Sequence, residues 1–292
     1  MRFKGTQLDA RLKGGGGDAF QVVVDGKPTQ TLTLRTDKEV YPVATGLSDG
    51  EHEVTLVKRT EARVGEVQLL GFVQPLLDPP PAPPRRIEVI GDSISAGYGN
   101  EGPDQHCRYT PATENAFVTY GWLTARNVGA DASIVAWSGK TIDEMAAMYE
   151  RTLPSRPESR WDPHLYVPDA VVINLGTNDV TRGDSQAPFV ASLVKLVDRV
   201  RGLYPSALIV CCVGSMLTDT YPPGKQTLTR ARAYVHAAVE QKKKAGDARV
   251  TYLEFPTQDP AVGYGCDYHP SAKTHQIMAE RLAGHLKTEL GW

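Results

Sequence analysis

No stretch of this chain is apolar for long enough to span a bilayer. The opening Met1-Arg2-Phe3-Lys4-Gly5-Thr6 has no apolar signal region, so secretion is not legible at this end. Neither sign of charge is in excess. The 32 Lys and Arg residues stand against 34 Asp and Glu, a formal net charge of −2. That removes the electrostatic reason to expect nucleic acid or an anionic membrane as partner. Cysteine is scarce, and none of it has metal-ligand spacing: Cys211 and Cys212 are adjacent, while Cys107 and Cys266 stand alone. There is no internal repeat. What is present is a hydrophobic fraction of 41% over 292 residues, enough for a full core and, at this length, for two domains.

Residues 1–78 read as short alternating segments broken by turns. Phe20 to Val24 runs into Asp25-Gly26, a hairpin signal. Thr31 to Arg35, Val40 to Ala44, Glu53 to Val57 and Val64 to Val73 follow, and no segment has a helical period. The expectation is a small antiparallel β-sandwich. It serves as a structural accessory domain or, on the sharper reading, as a carbohydrate-binding or site-completing module. Residues 79–84, Pro-Pro-Pro-Ala-Pro-Pro, cannot join a sheet or a helix interior and form a semi-rigid spacer.

From 85 to 292 strand and helix alternate. Expected strands are Ile87–Ile90, Ala132–Ala136, Ala170–Leu175, Ala207–Val213 and Val250–Phe255. Expected helices are Glu114–Asn127, Thr141–Arg151, Pro188–Leu203, Leu228–Lys244 and Ala272–Leu286. Strands rich in Val and Ile between amphipathic helices predict an α/β fold, a doubly wound parallel sheet with helices on both faces. Such sheets place their chemistry at the carboxyl ends of the strands. Those ends read Gly91-Asp92-Ser93-Ile94-Ser95, Trp137-Ser138-Gly139-Lys140, Gly176-Thr177-Asn178-Asp179, Gly214-Ser215 and, beyond the fifth strand, Cys266-Asp267-Tyr268-His269-Pro270.

Each residue alone has a bland reading: Ser93 and Asn178 as turn formers, Gly139 as a turn glycine, His269 as a loop histidine. Together they supply what acyl transfer by serine needs. Ser93 is a nucleophile and His269 a base. The Ser93 amide, the Gly139 amide and the Asn178 side chain are donors for a developing oxyanion.

The blocks around Ser93, Gly139, Asn178 and His269 resemble the conserved blocks of the SGNH (GDSL-like) hydrolases, four in order across almost all of residues 87–292. More narrowly, the chain resembles carbohydrate esterase family 2. The carrying segments are Arg2 to Thr6, Val57-Lys58-Arg59-Thr60-Glu61-Ala62, Gly91 to Gly102, and Trp137 to Lys140, with a β-domain ahead of the hydrolase. The resemblance implies an amino-terminal jelly-roll-like domain and O-deacetylation of xylan or related polysaccharides and oligosaccharides, with no metal or organic cofactor. It implies Ser93 as nucleophile, His269 as base, and Gly139 and Asn178 as oxyanion donors. It also leaves an amino-terminal truncation, signal peptide included, as an expectation, because Arg2 to Thr6 follows earlier strand sequence in that family.

Many SGNH hydrolases carry the triad acid three residues before the histidine, where this chain has Cys266. Asp267, two before, is expected to orient His269 in a triad; the alternative is a Ser-His dyad oriented by a backbone carbonyl. Tyr98 and Tyr268, among several rim tyrosines, are candidates for stacking on sugar faces. If Ser93 and His269 meet, the loops carrying Cys107 and Cys266 share one rim, and a disulfide between them is expected, fitting an extracellular or periplasmic protein. Two free thiols are the alternative. Cys211 and Cys212, inside an apolar strand, are expected to be buried and reduced.

Rival readings are weaker. Gly97-Tyr98-Gly99-Asn100-Glu101-Gly102 spells a dinucleotide fingerprint, but five residues separate it from its strand and Pro103 follows instead of a helix. A Gly-x-Ser-x-Gly elbow is absent, which disfavours an α/β-hydrolase fold. A non-catalytic carbohydrate-binding protein should lack part of the serine constellation, and none is missing. An SGNH lipase or thioesterase on short acyl esters would want an apolar groove where the rim loops are polar and rich in tyrosine.

Overall fold

The computed structural model describes residues 1–292. The first 77 residues hold eight strands: β1 Arg2–Lys4, β2 Leu8–Gly14, β3 Ala19–Val24, β4 Lys27–Thr33, β5 Val40–Ala44, β6 Glu51–Lys58, β7 Val67–Phe72 and β8 Leu76–Leu77. They form two antiparallel sheets, ordered β4-β3-β6-β1-β8 and β5-β2-β7. Alternation explains the arrangement. In β2, Leu8, Ala10 and Leu12 point inward while the charged residues between them do not, and they meet Phe3, Val22, Tyr41, Val43 and Val54 in one apolar core. Residues 78–83, mostly proline, have no regular structure.

The remaining elements are β9 Arg85–Gly91, α1 Ser93–Ala96, α2 Tyr120–Val128, β10 Ala130–Ala136, α3 Ile142–Ala146, β11 Ala170–Asn174, α4 Thr177–Arg182, α5 Gln186–Leu203, β12 Leu208–Val213, α6 Thr227–Lys244, β13 Val250–Glu254 and α7 Ala272–Leu290. The five strands form one parallel sheet in the order β10-β9-β11-β12-β13. Both faces are apolar. Ile90, Val171, Ile173, Ile209 and Cys211 pack with residues of α3, α5 and α6. Val89, Val172, Leu208, Val210 and Cys212 pack with residues of α2 and α7. The adjacent Cys211 and Cys212 therefore face opposite layers, buried and free.

Two expected helices are shorter than the pattern suggested. Glu114 and Asn115 are buried with extended backbone between two short 3-10 turns, Pro111–Thr113 and Ala116–Val118, so α2 begins only at Tyr120. Helix α3 ends at Ala146, and the turn after it sets the Tyr149 hydroxyl on the buried Glu88 carboxylate.

This topology fixes the site. The chain steps from β9 outward to β10 and then returns to β11 on the other flank of β9, which makes the β9–β11 junction the switch point where such sheets open a crevice. The register places Ala136, Gly91 and Asn174 in one row, so the three segments that follow leave the sheet from a single line. The segment after β9 is a single helical turn closed by Gly97 at φ +89°. A Cβ there would lie 2.8 Å from the Asn115 carbonyl oxygen, in a backbone conformation that side chains resist. Gly97→Ala is therefore expected to lower the unfolding free energy by about 1–3 kcal/mol, read as an earlier urea midpoint.

Candidate active site

Ser93 is the first residue of α1, directly beyond the β9 strand end. Asp92 caps the turn, its carboxylate accepting the Ile94 N–H at 3.0 Å. The first N–H groups of a helix have no partner within it, which leaves the Ser93 amide to a ligand. The serine is only 8% exposed, and its Oγ lies 2.9 Å from Nε2 of His269, 176 residues away.

The other ring nitrogen of His269 decides between the two expected arrangements. Nδ1 donates to the backbone carbonyl of Asp267 at 3.2 Å, which leaves Nε2 as the acceptor for the serine hydroxyl. The Asp267 carboxylate is elsewhere. It accepts from the Tyr98 hydroxyl at 3.0 Å, the Tyr109 N–H at 3.0 Å and the Arg108 guanidinium at 3.1 Å. The expected triad acid is thus replaced by a main-chain carbonyl. The reason is backbone conformation: Asp267 and Tyr268 both have left-handed φ, +53° and +62°. That turn aims the carbonyl of Asp267 at the ring and its side chain away.

Burial holds the His269 pKa down to about 4, against the opposing pull of the Asp267 carbonyl. The Tyr98 ring packs on the imidazole at 4.2 Å between centroids and on Tyr109 at 4.3 Å. With its hydroxyl bound to Asp267, Tyr98 buttresses the histidine. The expectation that it stacks on a sugar gives way to that role, because its ring and hydroxyl already have partners. Tyr268, 54% exposed, keeps an open ring at the rim beside Tyr264 and His106.

Gly139 follows β10 at φ +79°, and its N–H has no acceptor within the chain. Its carbonyl is held by Arg182 at 2.7 Å. Asn178, in the first turn of α4, gives its side-chain N–H₂ to the Lys140 carbonyl at 3.0 Å and to Asp92 at 3.3 Å. Burial pushes Asp92 up to about 7. Asp92 and Arg182 are parts of the site that the sequence reading passed over. Asp92 stood in plain view beside Ser93, where its turn chemistry hid a second task, the orientation of Asn178.

Cys107 and Cys266 are joined in a disulfide. Backbone bonds run beside it: Cys266 N–H to Gly99 O at 2.9 Å, Asp267 N–H to Cys107 O at 3.0 Å, and Ala272 N–H to Asn100 O at 3.0 Å. The loop that presents the histidine is stitched to the loop that follows the serine.

Comparison with known proteins accords with this geometry. The model of the GDSL-like lipase/acylhydrolase family matches residues 89–277, and that of the carbohydrate esterase 2 N-terminal region matches residues 1–83. The chain belongs to carbohydrate esterase family 2. It is 43% identical over its whole length to the cellulase/esterase CelE of Acetivibrio thermocellus, of which it spans 37%. It is 30% identical to an acetylxylan esterase / glucomannan deacetylase of Cellvibrio japonicus, covering 99% of this chain and 83% of that one. Among solved structures, a family two carbohydrate esterase from Clostridium thermocellum in complex with cellohexaose superposes with a TM-score of 0.94 at 41% identity, covering all of this chain and 92% of that one. In this member of the family the serine-histidine pair is completed by a carbonyl.

Two expectations follow. Asp267→Asn keeps the carbonyl that orients His269 and should change kcat by no more than about tenfold, whereas loss of a true triad acid costs orders of magnitude. The acid limb of kcat/KM, which reports the free base, should fall near pH 4 instead of near 6.5. A lowered pKa keeps the imidazole neutral, and so able to take a proton, until the pH drops through that value.

Proposed function

We propose that the chain is a serine esterase that removes O-acetyl groups from the hydroxyls of xylan or related polysaccharides and their oligosaccharides. In this reading residues 1–78 form the accessory domain, 79–84 the spacer and 85–292 the catalytic domain. The observation that carries it is the 2.9 Å pairing of Ser93 with His269 at a rim that also holds the Ser93 amide, the Gly139 amide and Asn178.

Ser93 Oγ attacks the acetyl carbonyl carbon while His269 Nε2 takes the hydroxyl proton. The carbonyl oxygen becomes an oxyanion that receives the two amides and Asn178. The longer of the two Asn178 bonds, the one to Asp92, is the one the oxyanion exchanges for. Collapse expels the sugar oxygen, which leaves with the proton from His269, and Ser93 carries the acetyl group. His269 then deprotonates a water that attacks the ester, and acetate departs from a regenerated serine. The imidazolium formed in each half is stabilised by the Asp267 carbonyl rather than by a full anion.

Tyr268, exposed at the rim, suits stacking on a sugar face. The disulfide supports an extracellular or periplasmic location. Ser93→Ala should abolish release of acetate from acetylated xylan or glucomannan while circular dichroism and Tm stay near those of the parent. A folded mutant with full activity would end the serine mechanism. Across nitrophenyl esters of rising acyl length, the parent should favour acetate, and a preference for longer chains would move the assignment to a lipase.

A further inference from the structure

The segment Val57 to Ala62 carries much of the family resemblance, yet the acyl-transfer mechanism uses none of it. It belongs to the amino-terminal layer, closing β6 and continuing past it. Lys58 pairs with the fully buried Asp18, and Arg59 pairs with Glu101. Glu61 goes further. Its side chain is 1% exposed, and one carboxylate oxygen accepts the backbone N–H of Ser138 at 2.7 Å. The other forms an ion pair with Arg63 Nε at 2.5 Å.

Ser138 immediately precedes Gly139. The loop bearing the Gly139 amide is therefore gripped at three successive backbone positions: Glu61 at the Ser138 N–H, Arg182 at the Gly139 carbonyl, and Asn178 at the Lys140 carbonyl. Two of these grips come from α4, and Glu61 alone comes from the amino-terminal layer. Its partner Arg63 lies over the rings of Tyr109 and Tyr98, at 4.4 and 5.2 Å, and Tyr98 is the ring packed on His269. One ion pair thus links the donor loop to the wall behind the base.

We propose that Glu61, braced by Arg63, is a positioning residue for the oxyanion hole, so that the amino-terminal sandwich is a working part of the active site. This rests on the reading of Gly139 as an oxyanion donor. A donor stabilises a developing charge only if it already points there, and a charged acceptor is the stronger kind of tether for a peptide N–H. Without Glu61 the Ser138 N–H loses its acceptor, the peptide ahead of Gly139 is free to tilt, and displacements near 1 Å are costly.

The test uses the full chain with Glu61→Ala and Glu61→Gln, and with Ser93→Ala and Asn178→Ala as references. The readouts are kcat and KM on 4-nitrophenyl acetate, Ki for a small alkylboronic acid that forms a tetrahedral adduct on serine, and Tm. Glu61→Ala should lower kcat by at least about tenfold with KM within about threefold, and raise the boronate Ki in step with the loss of kcat, as Asn178→Ala does. Glu61→Gln, whose neutral oxygen still reaches Ser138, should lose at least about threefold in both, but less than the alanine variant. A purely structural residue would lower Tm without moving kcat and boronate affinity together. The proposal is overturned by a folded Glu61→Ala with kcat within threefold of the parent, or by lost activity with unchanged boronate affinity. Should Glu61→Ala not fold, Glu61→Gln decides: a parallel loss upholds the proposal, and parental kcat and Ki overturn it. Ser93→Ala or Asn178→Ala with full activity would sink the serine-esterase reading and this inference together. If both references lose activity while the Glu61 variants do not, only the positioning role fails.

Discussion

The site depends on a loop held in a backbone conformation that its own residues disfavour. Asp267 and Tyr268 lie consecutively in the left-handed region, where a side chain costs on the order of 1–3 kcal/mol per residue. The conformation persists because its surroundings over-determine it. Gly265 N–H bonds to His269 O, His269 N–H to Cys266 O, and Cys266 and Asp267 bond across to the loop that follows the serine. The covalent link at Cys266 fixes the same edge. Out of that turn comes the carbonyl that orients the histidine, and the 2.9 Å contact with Ser93 follows from it. Strain at one point is exchanged for orientation at another.

The electrostatics follow from the same economy of anions. With a carbonyl rather than a carboxylate behind the ring, nothing raises the imidazole pKa strongly, and burial is left to lower it. The nearby carboxylates are committed to structural tasks. Asp267 holds Tyr98, Tyr109 and Arg108; Asp179 accepts the Ile142 N–H at the start of α3; Glu61 holds Ser138 and Arg63. Burial also raises the pKa of Asp179 to about 6 and that of Asp92, beside Asn178, to about 7.

The parallel sheet and its rim were legible in the sequence because both depend on periodicity and strand ends. Val and Ile runs that stop at Gly91, Ala136 and Asn174 put the segments carrying Ser93, Gly139 and Asn178 on one rim whatever the helices do. The role of Asp267 was not legible, since it depends on a left-handed φ at two residues whose types do not call for it. Tyr98 misled for a related reason: exposure is a property of neighbours, and its neighbours Tyr109 and His269 are distant in sequence or enter by another loop. Strand β1 is three residues long and carries no pattern, whereas the alternation of Leu8, Ala10 and Leu12 marks β2. The start of α2 was not legible because Glu114 and Asn115, helix-compatible on paper, are buried in extended conformation.

The Cys107–Cys266 link joins residues 159 apart in sequence, and Ser93 and His269 lie just outside the ring it closes, Ser93 before its first cysteine and His269 after its last. Four of the five parallel strands and every helix from α2 to α6 lie within it. A single cut anywhere in the ring, the exposed Pro157–Glu158 stretch included, leaves one covalent molecule in which the pieces carrying Ser93 and His269 are joined through the disulfide. The disulfide thus keeps Ser93 and His269 within one covalent molecule even where the chain between them is broken.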